Sequence, residues 1–149
     1  MPLNIVLFEP EIPNNTGNIG RLALASGSNL HLVKPFGFEL DDKRLKRAGL
    51  DYWPHISLFI YENIEEFYEM HKGKNVVYFS SNGEKSHWSI EYKDDIFLIF
   101  GKESVGLSKA VLNDNLDKLY TIPLFSPHIR SLNLANAVSI VVYEGLKHI

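Results

Sequence analysis

From Asp95 to Phe100 the chain runs almost without interruption through apolar residues, Ile96-Phe97-Leu98-Ile99-Phe100, and then meets Gly101 and Lys102. A strand wetted on one face alternates apolar with polar side chains, so an unrelieved run of this length predicts a central strand covered on both faces, as parallel sheets require. The remaining segments fit that frame. Asn4 to Phe8 reads as a first strand closed by the breakers Pro10 and Pro13, and Thr16 to Ala25 carries apolar residues at helical spacing. Leu30 to Val33 is a second strand ahead of a Pro35-Phe36-Gly37 turn, after which Asp41 or Asp42 can cap a short basic helix ending near Gly49. Ile56 to Tyr61 is a third strand, Glu62 to His71 an amphipathic helix, Val76 to Ser80 a strand, and Leu119 to Ile122 a last short strand. Strands alternating with helices predict an α/β fold with a mostly parallel sheet and helices on both faces. At 149 residues the expectation is one domain over 1–149 with a sizeable core.

The final segment, Asn133 to His148, is apolar almost all round through Leu134, Ala137, Val138, Ile140, Val141, Val142 and Leu146. A helix of that kind needs cover on most sides, and the simplest cover besides the sheet is a second copy of the chain. A homodimer is therefore expected, an unusually buried terminal helix being the alternative, and Val141 is the position where a charge would disrupt either the interface or the fold.

Composition excludes several classes. There is no cysteine, which removes disulfides, thiolate metal sites and cysteine nucleophiles. The chain opens on the strand-like Asn4-Ile5-Val6-Leu7-Phe8 without a leader pattern, and no apolar run reaches membrane-spanning length, so a cytoplasmic protein is expected. Net charge is −3, which argues weakly against nucleic-acid binding, but the distribution matters more than the sum. Lys43, Arg44, Lys46 and Arg47 lie together, while Glu62, Glu65, Glu66 and Glu69 gather on another segment. A basic face can coexist with an acidic total.

Three loops rich in Gly, Asn, Ser or Pro follow strands, and in a parallel sheet such loops converge beyond the carboxyl ends. The first is Asn14-Asn15-Thr16-Gly17-Asn18-Ile19-Gly20-Arg21, at a helix N-terminus whose free amides and dipole favour an anion such as phosphate. The second is Phe100-Gly101-Lys102-Glu103-Ser104-Val105-Gly106-Leu107. Its Gly-Lys pair is not a phosphate-binding P-loop, because Ile96 and Glu103 occupy the places that motif reserves for Gly and Ser/Thr. The third, Ile122 to Asn133, leads through small polar residues into the last helix. Each loop alone is also explained as a capped turn.

Other chemistries fail on residue supply. The six histidines show no zinc spacing, and HExxH, Gly-x-Ser-x-Gly and GxGxxG are all missing from the sequence. Methyl transfer from a sulfonium fits this poverty, since the donor carries its own leaving group and leaves only positioning and hydroxyl activation to the protein.

Together, NNTGNIGR, DDKRLKRAGLDYW, FGKESVGL and IPL followed by RSLNLANAVSIVVYEG resemble the signature motifs of the SpoU-type branch of the SPOUT methyltransferases. The match runs from the first strand to the last helix. The resemblance implies a SPOUT fold whose C-terminal part threads through a loop as a deep trefoil knot, a departure from the usual rule against threaded loops. It implies a homodimer that uses S-adenosyl-L-methionine, and no metal, to methylate a ribose 2′-hydroxyl of tRNA. More narrowly it points to the wobble nucleotide, cytidine or a modified uridine, of leucine isoacceptors, with the anticodon stem-loop as the partner. The alternatives left open are a related methyltransferase with another RNA target and a non-catalytic RNA-binding or assembly protein on the same fold.

Carried over to this sequence, the resemblance places the donor among Phe79, Gly101, Ile122 and Ser131, and the catalytic cluster at Arg21, Asn15, Glu103, Ser131 and Asn133. An arginine guanidinium stays protonated in proteins, so Arg21 reads as a positioner of phosphate or hydroxyl rather than as a base. Glu103 is expected to orient Arg21 or take part in proton removal, and Asn15, Ser131 and Asn133 to hold loop and substrate in line.

Overall fold

A computed structural model describes residues 2–48 and 52–149, and shows seven parallel strands with helices on both faces. The strands are β1 (Asn4–Phe8), β2 (Asn29–Val33), β3 (Leu58–Tyr61), β4 (Val76–Phe79), β5 (Lys85–Ser86), β6 (Phe97–Phe100) and β7 (Leu119–Thr121). Their order across the sheet is β3-β2-β1-β6-β4-β7-β5, and each neighbouring pair is parallel. The apolar run thus forms β6, placed centrally between β1 and β4 and buried along its whole length.

Among the described residues five α-helices cover the sheet: α1 (Pro13–Ser26), α2 (Lys43–Ala48), α3 (Ile64–Met70), α4 (Lys109–Asp114) and α5 (Leu134–Leu146). Alternate residues of one strand feed two separate cores. Ile5 and Leu7 of β1 join Ile19, Ala23, Val138, Val141 and Val142 under α1 and α5, while Val6 and Phe8 join Phe67, Leu107 and Val111 under α3 and α4. Among the described residues no helix is long and apolar enough to cross a membrane.

Several expected boundaries move, for local reasons. Helix α1 starts at Pro13 instead of Thr16, because a proline at the first helical position forgoes only an amide that has no partner there. Pro13 is therefore a helix start, not a breaker. β3 starts at Leu58 because Trp53-Pro54-His55 winds into a single 3₁₀ turn first, and α3 starts at Ile64 because the Asn63 side chain accepts the Glu66 amide as its cap. The end of the basic helix near Gly49 lies outside the described residues. Of the strands and α-helices, two escaped the sequence: α4, too short to show periodicity but capped by Ser108, and the two-residue β5.

The last helix also differs from expectation. Val141 is fully buried in the chain's own core beside Val138 and Val142, so it does not face a second copy. The apolar side chains that α5 leaves in solvent are Ile140, 42% exposed, and Tyr143, 49% exposed. A charge at Val141 tests the core of one chain, whereas a charge at Ile140 tests an interface.

A buried polar chain crosses the second face. Asp95 accepts from Asn4 Nδ2 at 2.9 Å, which turns Asn4 Oδ1 toward Asn29 Nδ2 at 3.0 Å and His31 Nε2 at 2.9 Å. His31 Nε2 must then carry the hydrogen, leaving Nδ1 to accept from the Tyr61 hydroxyl at 2.7 Å, whose oxygen takes the His71 Nε2–H at 2.8 Å. Burial, with the nearby His71 adding to it, lowers the His31 pKa from 6.5 to about 4. The unfolded chain therefore binds this proton first on acidification, and stability should fall as pH drops from about 6.5 to about 4, by an amount on the order of 3 kcal/mol. Denaturant titrations across that window check the sign, and a His31→Phe variant should show a flatter profile.

Candidate functional site

Because all the strands point the same way, the segments that leave β1, β4, β6 and β7 emerge along one edge. A cavity of about 480 Å³ lies between them, a size suited to a nucleoside-like ligand. Phe79, Phe100, Leu107, Ile122 and Leu132 give it apolar walls, and Ser80, Ser131, Asn133 and Asn15 supply small uncharged polar groups. Seven of the eight residues singled out in the sequence line this cavity: Asn15, Phe79, Gly101, Glu103, Ile122, Ser131 and Asn133. Arg21 does not line it. Its exposed guanidinium lies over the Tyr52 ring, 4.9 Å from the centroid.

The hydrogen bonds at the rim run in fixed directions, because a carboxylate only accepts. Glu103 Oε1 takes the Glu11 N–H at 2.8 Å, and Oε2 takes the Ile12 N–H at 2.9 Å and Asn15 Nδ2 at 3.2 Å. With its amide nitrogen turned to Glu103, Asn15 presents Oδ1 to Asn133 Nδ2 at 3.1 Å, and Asn133 Oδ1 caps α5 through the Asn136 N–H at 3.2 Å. One chain of bonds thus ties the segment after β6 to the start of α1 and then to the start of α5. Ile12 itself offers α1 no side-chain cap, so the anion beside that helix start is a carboxylate from elsewhere in the same chain. Glu103 thus stands beside the helix start where the sequence suggested an anion such as phosphate. It does not orient Arg21 within one chain: its carboxylate holds Glu11, Ile12 and Asn15, while the Arg21 guanidinium lies over Tyr52.

Glu11 is the residue that the sequence reading missed. Its Oε1 accepts the Ser104 N–H at 2.8 Å, reciprocating the bond from its own amide to Glu103. The backbone hydrogen bond from Ser104, then the side-chain one, holds the Glu11 carboxyl below the usual carboxylate range, so its grip is present at neutral pH and lost on strong acidification. A second tie joins the same two segments: Lys102 Nζ lies 3.5 Å from Glu9, a residue held at φ 57 where the chain leaves β1. Glu9 and Glu11 sit in an ordinary-looking Glu-Pro-Glu-Ile-Pro stretch, and only the fold reveals that they face residues 102–104.

Gly101 matters for a reason internal to its loop. A Cβ there would fall 2.3 Å from the backbone of Gly106 and Leu107, so any side chain forces the loop of 101–107 apart rather than plugging the cavity. Loss of ligand binding in a Gly101 variant would follow from that displacement.

The clasp makes a quantitative forecast. Glu103→Ala strips the acceptor from two backbone amides near the surface and should cost about 1–2 kcal/mol. Glu11→Gln keeps a carbonyl acceptor for Ser104 and should cost less. Denaturant midpoints of the two variants, at unchanged m-value, test the ranking.

Comparisons with known proteins agree with this geometry. The model of the SpoU rRNA Methylase family matches residues 2–143. The chain is 42% identical over 148 residues to the tRNA (cytidine(34)-2′-O)-methyltransferase of Escherichia coli K12, covering 99% of this chain and 94% of that protein. Among solved structures, one described for the 2-OH methylation of C/U34 on tRNA superposes with a TM-score of 0.94 at 44% identity, covering 98% of this chain and 95% of the other. An AdoMet-bound rRNA methyltransferase from Sinorhizobium meliloti superposes with a TM-score of 0.87 at 28% identity, and the match spans 99% of this chain but 57% of that longer one.

Proposed function

Since the chain belongs to the SpoU methylase family, we propose that it methylates the ribose 2′-hydroxyl of the wobble nucleotide of tRNA, cytidine or a modified uridine, working in the cytoplasm. The observation that carries this reading is near full-length identity above 40% to tRNA (cytidine(34)-2′-O)-methyltransferases, joined to a cavity formed by the same three loops that carry the motifs. The reading takes residues 1–149 as one methyltransferase domain, with its C-terminal part threaded as a trefoil knot. A binding or assembly protein without catalysis has no observation in its favour.

The proposed donor is S-adenosyl-L-methionine, which supplies a methyl group on a sulfonium that is already its leaving group. The cavity fits it: apolar walls at Phe79 and Ile122 suit a purine face, Ser131 and Asn133 offer polar contacts, and the only acidic group on the lining, Glu103, is already engaged. Asn15 and Asn133 are fixed in orientation by the bonds described above, and each keeps an unused amide hydrogen for the substrate. Glu103 serves as the anchor of that pair in this reading. Three of the four acceptor sites of its carboxylate are taken, and the open one, on Oε1, is where Glu103 would receive a proton if it takes part in proton removal.

Arg21 stands outside the cavity of its own chain, and we propose that a second copy brings it to the site. Helices α1 and α5 pack against each other, and α5 leaves Ile140 and Tyr143 uncovered on this side of the sheet. Ile140→Glu should convert the dimer to monomer, seen by sedimentation at micromolar concentration, with little loss of chain stability because Ile140 is 42% exposed. A parent protein that sediments as a monomer overturns the dimer.

Methylation mapping of tRNA from cells with and without the protein tests the function directly, with a mark at the wobble ribose of leucine isoacceptors the expected loss. For Arg21 the two possible roles differ in what lysine can replace, since lysine keeps the charge, loses the planar fork and releases a proton more readily. A positioning Arg21 predicts that Arg21→Lys loses most of the single-turnover rate with donor affinity intact. A lysine variant that stays active, with a rate rising toward alkaline pH, would establish Arg21 as the base.

A further inference from the structure

The loop that leaves β7 carries an aromatic side chain that the cavity does not use. Phe125 is 87% exposed, the most open of the large apolar residues among those described. A phenylalanine ring held this far into water adds little to the fold, which leaves both its faces open to a ligand. Its neighbour Leu124 lines the cavity, which sets Phe125 at the rim and one residue outside.

Its position is held. The Ser126 side chain accepts the His128 N–H at 3.2 Å and the Ser126 carbonyl the Ile129 N–H at 3.4 Å, with Pro127 between them. Ser at the first and Pro at the second position of a turn is a stable pattern, so the turn presents Phe125 from a preset backbone. From Ile122 to Asn133 the only ionisable side chains are His128 and Arg130, and both are exposed. An open ring on a segment that carries the Arg130 guanidinium and no carboxylate suits a single-stranded nucleic acid, in which bases stack on aromatic faces and phosphates seek cations.

We propose that Phe125 is the stacking contact for a nucleobase of the RNA chain next to the nucleotide held at the cavity. The inference rests on the tRNA reading above and adds a residue to it. Phe125 belongs neither to the cavity wall nor to either core, so its replacement leaves both in place.

The test uses the full-length protein with tRNA and compares Phe125→Ala, Phe125→Leu and Phe125→Trp. The alanine variant should raise both the KM for tRNA and the tRNA dissociation constant roughly 5- to 100-fold, the usual worth of one base–aromatic stack. Its kcat at saturating tRNA, its affinity for S-adenosylmethionine and its sedimentation should match the parent. Tryptophan should restore binding, while leucine, apolar but without an aromatic face, should not. The proposal is overturned if alanine binds tRNA as tightly as phenylalanine, or if leucine rescues as well as tryptophan. It is equally overturned if the alanine variant loses donor affinity, which would make Phe125 a cover for the donor, or loses its oligomeric state, which would make it a subunit contact. A parent that binds tRNA through Phe125 yet transfers no methyl group would overturn the activity while supporting the contact.

Discussion

The Glu103 carboxylate joins parts of the chain that the sheet alone leaves loose. Strands β1 and β6 are neighbours, but their hydrogen bonds stop at Leu7 and Phe100, and the segments beyond them are free to diverge. Glu103 closes that gap by accepting the amides of Glu11 and Ile12, and Glu11 closes it again from the other side through the Ser104 amide. Backbone amides are fixed donors, so the two carboxylates set the separation of the segments and not merely their attraction. Asn15 and Asn133 inherit their orientation from this arrangement, since each amide is turned by the acceptor ahead of it. Remove the anchor and both remain in place by sequence while losing direction.

A reaction whose donor brings its own leaving group asks the protein for geometry above all. The site matches that demand, being built from main-chain loops, small polar side chains and apolar walls instead of nucleophiles or metal ligands. The cost of such a site is that its precision lies in loop closure. Gly101 is the tightest point, where the backbone of its own loop comes within 2.3 Å of any added Cβ. Here the requirement for glycine comes from packing, and it would hold whatever ligand occupied the cavity.

The sheet was legible because burial on both faces writes itself directly into composition: β6 and β1 carry no interior polar residue beyond Asn4 at the β1 edge. The helices were legible in kind but less so in extent, because their starts are set by single residues, Pro13 at the first turn of α1 and the Asn63 cap of α3, which hydrophobic spacing does not register. Motif resemblance named the residues that line the cavity, yet two things stayed hidden. The partners of Glu103 lie 91 and 92 positions away, and nothing local to Glu11 distinguishes it from a solvated glutamate. The position of Val141 was hidden for a different reason. An all-apolar helix reveals how much surface must be covered, whereas which side the sheet takes is settled only by packing.

That packing also reconciles an acidic protein with a polyanionic substrate. The acidic residues Glu65, Glu66 and Glu69 ride on α3, which covers the face of the sheet opposite to α1 and α5. The basic helix α2, with Lys43, Arg44 and Arg47 exposed, packs against α1, the helix that bears Arg21, on the side away from α3. Fields of exposed charges fade over a Debye length of about 8 Å at physiological salt, and the two sets are separated by the thickness of a helix-covered sheet, about 10 Å per packed layer. An approaching RNA therefore meets the local sign rather than the total of −3.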